Sequence, residues 1–320
     1  MITPVHKGDS RLLPKQYRSI SLTSHVIKIF ERVIKKYIMQ HLTSNNLIQE
    51  GQHGFVPGRS TQTQLLVHYK DIYEAMMDGT RIDTVFLDFA KAFDKVNHNV
   101  LLEKIVKHKI KGNIGKWIKT FLTNRKYVVT ANGESSAEQD IISGVPQGTV
   151  LGPVFFLMMI SDIDEKVKDC IVRSFADDTR ISKKIEKASD RDMMQHDLNT
   201  IYEWAKENLM EFNEDKFEQM CHGENKNVPY LPYKGPNGKD IISELCVKDL
   251  GVIANGNLRF KEHIHQITST SRIMSGTIMK TFTTRNRELM MMMFKSYIRS
   301  RLEYCSIVWS PTAQTEINEI

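Results

Sequence analysis

The chain reads as an α+β protein on three observations. Apolar residues recur at helical spacing over residues 26–42 and again over 65–76. Residues 84–89 form a short, almost unbroken apolar run of β-branched and aromatic type. Two turn signals, Asn132-Gly133 and Asp177-Asp178, lie between alternating stretches of the kind that pair as hairpins.

Taken in order, residues 1–22 are polar, basic and turn-rich, which fits a loop or a hairpin. From Ser24, the residues Val26, Ile27, Phe30, Val33, Ile34, Tyr37, Ile38 and Leu42 predict one amphipathic helix of about four to five turns, with Thr23 or Ser24 as N-cap. Glycines and a proline make Gly51–Ser60 a loop. Ser60 or Thr61 then caps a second helix that buries Leu65, Leu66, Tyr69, Ile72, Tyr73 and Met76 and ends at Gly79. Thr84–Phe89 reads as a buried central strand with Asp88 at the close of its apolar run.

A helix around Leu101, Leu102, Ile105 and Val106 follows. Next comes a basic stretch (Lys107, Lys109, Lys111, Lys116, Lys119, Arg125, Lys126) around Trp117 and Phe121, which suits a solvated helix face or a nucleic-acid track equally. Tyr127–Ala131, Asn132-Gly133 and Gln139–Ile142 predict a hairpin with a type I′ turn. Ser143–Gly148 breaks regular structure, and Val150–Ile163 reads as a buried helix. The hairpin carrying Phe175-Ala176-Asp177-Asp178 comes next, then an amphipathic helix over Asp190–Asn208 and short strands near 217–221 and 241–253. From Leu258 the chain is helical and basic, with Met290–Met293 expected as core filler.

Composition narrows the classes. A chain of 320 residues is long enough for two or three lobes, and 44 Lys+Arg against 38 Asp+Glu gives +6, a balance that favours a polyanionic partner. The 4 cysteines show neither C-x-x-C pairing nor zinc-like spacing with histidine, so a disulfide scaffold and a structural zinc are not expected. No apolar run approaches the roughly 20 residues of a membrane span. An intracellular protein, nuclear or cytoplasmic, with no membrane association is the expectation.

The candidate chemistry lies in carboxylates. A strand ending in Asp88 and a hairpin tip holding Asp177 and Asp178 can be neighbours in one sheet. Two unit charges about 4 Å apart repel by roughly 4 kcal/mol at an effective dielectric of 20, so such a cluster must protonate or hold cations. Oxygen-only ligands favour Mg²⁺ or Mn²⁺, and two such ions suit an in-line phosphoryl displacement. A carboxylate acid/base pair of the glycosidase kind is the alternative, and it leaves the basic segments without a role.

Six stretches, in this order and spacing, resemble the reverse transcriptase domain of jockey-like non-LTR retrotransposons: Tyr17–Thr23, Gln52–Ser60, Leu87–Asp94, Ser143–Gly148, Phe175–Asp178 and Asp249–Val252. The resemblance covers nearly the whole chain. It implies a right-hand polymerase, with fingers over 1–83, a palm over 84–253 that holds a finger insertion around 97–142, and a C-terminally truncated helical thumb over 254–320. It implies reverse transcription, the addition of a dNTP to a DNA primer 3′-hydroxyl on an RNA template. It also implies two Mg²⁺ or Mn²⁺ ions held by Asp88, Asp177 and Asp178.

The resemblance assigns further roles. Lys216 is similar to the lysine that protonates pyrophosphate, and Lys7 and Arg18 to the cations that clamp the triphosphate. Phe93 resembles the steric gate against a 2′-hydroxyl. Gln147 and Gly148 resemble the loop that packs on the incoming nucleotide, and Phe89 and Ala176 join the nucleotide-binding positions. Arg59 and Ser60 resemble a template-contacting loop, and Leu250 and Gly251 the turn that grips the primer end.

There are departures from the family pattern. One lysine, not two, precedes Gly8; Ser19 replaces a proline; and Asn208 stands where a second tryptophan is usual. The family carries an endonuclease before this domain and more sequence after it, so a fragment or a decayed copy is expected. The competing expectation is a catalytically inactive remnant that at most binds nucleic acid. Retention of all three acids favours recent activity.

Overall fold

Strands β1 (Ile2–His6) and β2 (Tyr17–Ser21) form an antiparallel hairpin, in register Val5 to Arg18, at the start of a computed structural model that describes every residue except Asp9 and Lys226. Ser19 lies within β2 opposite Pro4. Helix α1 (His25–Ser44) begins at Ser24, whose hydroxyl accepts the Ile27 N–H at 3.3 Å, and runs for 20 residues. Helix α2 (Thr61–Met77) opens with a reciprocal capping box between Ser60 and Thr63. Strand β3 (Arg81–Leu87) starts three residues earlier than its apolar run, and helices α3 (His98–Lys107) and α4 (Gly112–Leu122) follow.

Asn132 and Gly133 both have positive φ, as a type I′ turn requires, and they close a tight hairpin. Its return strand differs from the expected one. Strands β4 (Lys126–Tyr127) and β5 (Thr130–Ala131) are answered by β6 (Glu134–Ser135), which pairs with β5, and by β7 (Gln139–Asp140), which pairs with β4. The remaining chain comprises α5 (Gly152–Ile160), β8 (Ile171–Phe175), β9 (Asp178–Ile185), α6 (Ala188–Glu207), β10 (Glu218–His222), β11 (Ile242–Ser243), β12 (Cys246–Asp249), β13 (Val252–Asn255), α7 (Lys261–Thr281) and α8 (Arg287–Met293). Short helical pieces follow α8. No helix among the described residues is long and apolar enough to cross a membrane.

The chain divides into two compact units. The first comprises Met1–Pro57, Leu87–Thr179 and Gln195–Lys216. Its core is α5, buried on every residue but Pro153, with Leu101, Ile105, Ile118 and Leu122 of α3 and α4 also buried. Helix α5 has no side-chain cap of its own. Glu31 of α1, fully buried, supplies one from 120 positions away, its Oε2 accepting the N–H groups of Val150 at 2.7 Å and Leu151 at 3.0 Å. A carboxylate at that end also meets the positive pole of the helix. Asn208, in place of the family's second tryptophan, is buried and donates to the Trp204 carbonyl at 2.8 Å, closing the end of α6.

The second unit comprises Gly58–Phe86, Arg180–Met194 and Phe217–Ile320. There β11, β10, β3 and most of β9 are neighbours in that order, β10 running antiparallel to β3 and parallel to β11. Leu65, Tyr69 and Ile72 of α2 pack with Ile82, Val252, Ala254, Ile264 and Trp309 in one core. The early start of β3 is stabilised by a buried network: Arg81 forks onto Asp83 at 2.8 and 2.9 Å, and the Tyr233 hydroxyl donates to Asp83 at 2.7 Å.

Three apolar patterns are not covered as the spacing suggested. On α2, Leu65, Tyr69 and Ile72 are buried, but Leu66 and Tyr73 are exposed. On α1, Ile34, Ile38 and Leu42 are buried, but Val26, Phe30, Val33 and Tyr37 are at least 47% exposed. Met290–Met293 are not core filler, since no residue of α8 is buried. Helical spacing defines which side chains share a face; only a neighbouring element decides whether that face leaves water.

Glu31→Ala would leave the Val150 and Leu151 amides unpaired and should destabilise the protein by about 1–3 kcal/mol. Glu31→Gln, which keeps an acceptor, should lose less. Thermal or denaturant unfolding of the two variants checks the order.

Candidate active site

The first unit holds most of the candidate side chains, and backbone pairing explains how. Asp88 directly follows β3, and the chain beyond it is zipped to residues 211–213. The Asp88 carbonyl accepts the Asn213 N–H at 2.8 Å, Phe89 bridges to Phe212, and the Ala90 N–H donates to Glu211 at 2.8 Å. A 3-10 turn over Glu214–Lys216 then returns the lysine, whose Nζ lies 2.9 Å from Asp88 Oδ2. Phe89 stacks on Phe212 at 4.4 Å, meets the edge of Trp204 at 6.3 Å and is buried, so its ring belongs to the core.

Asp177 comes from the other direction. Strand β8 turns into β9 through two residues, Ala176 and Asp177, and Ser174 and Thr179 exchange a hydroxyl contact at 3.1 Å beneath the turn. Ala176 adopts the left-handed conformation at φ 56°, unfavourable for a residue with a Cβ. The sequence places both acids at the hairpin tip, whereas in the structure Asp177 is half-buried in the turn and Asp178, the first residue of β9, is exposed. Among the described residues no three His, Cys, Asp or Glu side chains gather as a ready metal cluster. Asp88 and Asp177 are the pair brought within electrostatic reach.

That proximity is visible in the Asp177 carboxyl. Burial pushes it above the usual carboxylate range, a backbone hydrogen bond opposes this, the charge of Asp88 pushes it further up, and Lys216 and Arg18 pull it back. Arg18, on β2, is thus within electrostatic reach of this acid.

A second acid and cation stand nearby in the same unit. Asp94, which sequence reasoning quoted without giving it a role, is pushed up by burial and pulled back by Lys91, by Lys7 and by a 3.3 Å hydrogen bond from the Gln147 amide. Phe93 stacks on Phe156 at 4.5 Å and takes the edge of Phe55 at 6.0 Å, which fixes its ring. The Ser21 N–H donates to the Gln147 carbonyl at 2.7 Å, and a Cβ on Gly148 would stand 2.8 Å from the Ser21 carbonyl oxygen. Gly148 is thus required by close approach to β2 as well as by its φ of 98°.

The remaining candidates belong to the second unit. Ser60 is the N-cap of α2, and Arg59 precedes it. Leu250 and Gly251, both at positive φ, make the two-residue turn between β12 and β13. The Tyr304 hydroxyl donates to the Leu250 carbonyl at 2.8 Å, and Asp249 beside the turn pairs with Arg180, both buried.

Asp88 with Lys216, the Asp177 turn, Arg18 on the β1–β2 hairpin and the Gly148 loop all belong to the first unit. The chain belongs to the reverse transcriptase (RNA-dependent DNA polymerase) family, whose family model matches residues 5–252. It is 25% identical over its whole length to the probable RNA-directed DNA polymerase from transposon X-element of Drosophila melanogaster. It is 28% identical, again over its whole length, to the RNA-directed DNA polymerase from mobile element jockey of the same species. The chain spans 36% of each of these relatives. Among solved structures, apo telomerase from Candida tropicalis, truncated from its C-terminal domain, superposes with a TM-score of 0.50. That likeness, at 13% identity over 75% of this chain and 51% of the telomerase chain, is one of fold: a right-hand polymerase of mixed α+β content.

In the metal-free protein, folded Asp177 binds its proton at higher pH than the unfolded chain does. Its ionised form therefore lowers stability above the folded pKa, and the penalty disappears as pH falls through that value. Asp177→Asn should raise the unfolding midpoint at neutral pH in chelator, with a gain that shrinks on acidification. A midpoint below wild type throughout would contradict this.

Proposed function

We propose that this chain carries out template-directed DNA synthesis from an RNA template, transferring the nucleotidyl group of a dNTP to a primer 3′-hydroxyl. The observation that carries the reading is Lys216 on Asp88 at 2.9 Å beside the half-buried Asp177 carboxyl, which burial and the charge of Asp88 push up and Lys216 and Arg18 pull back. An acid pair of this kind, with oxygen donors only, fits Mg²⁺ or Mn²⁺. Asp88 and Asp177 would hold two ions, with Asp178 as the third carboxylate. Bound there, the ions supply charge stabilisation to the attacking and leaving oxygens.

The protein's own groups position and neutralise. Lys7 and Arg18 bind the triphosphate, Arg by its fork and Lys as a point charge. Lys216 holds a proton at Nζ for the departing pyrophosphate. Phe93, braced by Phe156 and Phe55, lies under the incoming sugar and excludes a 2′-hydroxyl. Gln147 and Gly148 pack against the nucleotide, and Ala176 lines its site through its backbone. In the second unit, Arg59 and Ser60 contact the template, while Leu250 and Gly251 contact the primer end. Fingers, palm and thumb over 1–83, 84–253 and 254–320 are part of the same reading. Nucleic acid is recognised mainly through phosphates and shape, so binding weakens as salt rises.

Primer extension with an RNA template, a DNA primer and dNTPs in Mg²⁺ or Mn²⁺ tests the reading. Asp177→Asn should lower the rate by at least about a hundredfold. Binding of primer–template without extension in either metal would leave an inactive nucleic-acid-binding remnant instead.

Phe93→Ala should raise ribonucleotide incorporation relative to deoxynucleotide by about tenfold or more. Unchanged sugar selectivity would remove the gate assignment.

A further inference from the structure

We propose that Gln52 is a positioning residue for the candidate active site, its side-chain amide holding the Ala176–Asp177 turn in the one conformation that presents Asp177. The inference deepens the polymerase reading and rests on it for its effect on rate. Gln52 is 1% exposed, and its side-chain amide bonds that turn and its own loop. Its Oε1 accepts the Ala176 N–H at 2.8 Å and the Gly54 N–H at 2.7 Å, and its Nε2 donates to the Ala176 carbonyl at 3.3 Å. Two backbone N–H groups can only donate, so the atom between them is the amide oxygen, and the carbonyl fixes the other end as NH₂.

One side chain thus satisfies both main-chain groups of Ala176, a buried residue held at φ 56°. Buried main-chain groups need partners, and the left-handed conformation is unfavourable for alanine, so the turn is stabilised by the external one Gln52 supplies. The main chain aims the amide. Ser174 N–H donates to the Gly51 carbonyl at 3.0 Å and His53 N–H to the Ser174 carbonyl at 2.9 Å, so residues 51–53 run beside β8 as a short parallel extension. A Cβ on Gly54 would lie 2.2 Å from the Ala176 nitrogen, which means the two backbones touch. Glutamine alone combines the required length with an acceptor for two donors and a donor for one acceptor. Asn is a methylene short, Met lacks both functions, and Glu keeps only the acceptor.

The test uses the 320-residue chain and the variants Gln52→Met, Gln52→Asn and Gln52→Glu. Amide hydrogen exchange should speed up by about tenfold at Ala176 in the Met and Asn variants, as expected for loss of one hydrogen bond, with α5 unchanged. Gln52→Glu, which retains the acceptor, should keep Ala176 slow. In primer extension, Gln52→Met should lower kcat by about a hundredfold, the loss typical of a small misplacement of a reacting group, while KM for dNTP and affinity for primer–template stay unchanged.

Unchanged exchange at Ala176, or faster exchange with unchanged kcat, overturns the proposal. Faster exchange throughout the chain in all three variants does so too, because Gln52 would then be a general fold residue. A wild-type chain that extends no primer defeats the polymerase reading instead, and exchange at Ala176 then decides the positioning by itself.

Discussion

Asp88 and Asp177 are held within reach of each other's charge by two separate backbone arrangements of the first unit. Neither acid can move away cheaply. Asp88 is pinned where its backbone joins residues 211–213, and Asp177 sits in a turn whose preceding residue is in the left-handed region. Compensation comes from cations delivered by separate segments: Lys216 from a 3-10 turn and Arg18 from a hairpin strand. A half-buried acid whose carboxyl is pushed up by burial and by a neighbouring acid gains by binding a cation, which is the physical basis of the metal-dependent reading proposed above.

Long-range polar contacts hold the walls of this site. Glu31 caps α5 from α1, the Gln147–Gly148 loop is bonded to β2, and Gln147 also reaches Asp94. Each joins a catalytic candidate or its neighbour to an element far away in sequence. Because hydrogen bonds are directional, the geometry these contacts impose is stricter than apolar packing alone would give. The stack of Phe93 on Phe156 ties the segment after Asp88 to the buried helix α5.

The second unit uses buried charge differently. Arg81 with Asp83, both in β3, and Arg180 of β9 with Asp249 at the end of β12 are buried pairs, the first also joined by the Tyr233 hydroxyl. The second lies beside the Leu250–Gly251 turn, and its Arg180 Nη2 has no hydrogen-bond partner among the described residues. Paired charge of that kind contributes specificity of fold, whereas the Asp88–Asp177 pair retains an electrostatic demand.

Most of the elements and the identity of the acids are legible in the residues alone. Caps at Ser24 and Ser60, the Asn132-Gly133 turn, the apolar run before Asp88 and the Asp177 turn are encoded within a few residues, so local chemistry sufficed. Ordered motifs then identified the family. What required tertiary structure depends on partners more than a hundred residues away: Glu31 on Val150, Gln52 on Ala176, and Lys216 on Asp88. No local pattern marks a buried glutamine or glutamate as a splint, because its partners are main-chain groups that every residue carries. The exposed faces of α1 and α8 were illegible for a related reason. Periodicity reports the composition of a face, while burial is a property of whatever packs on it.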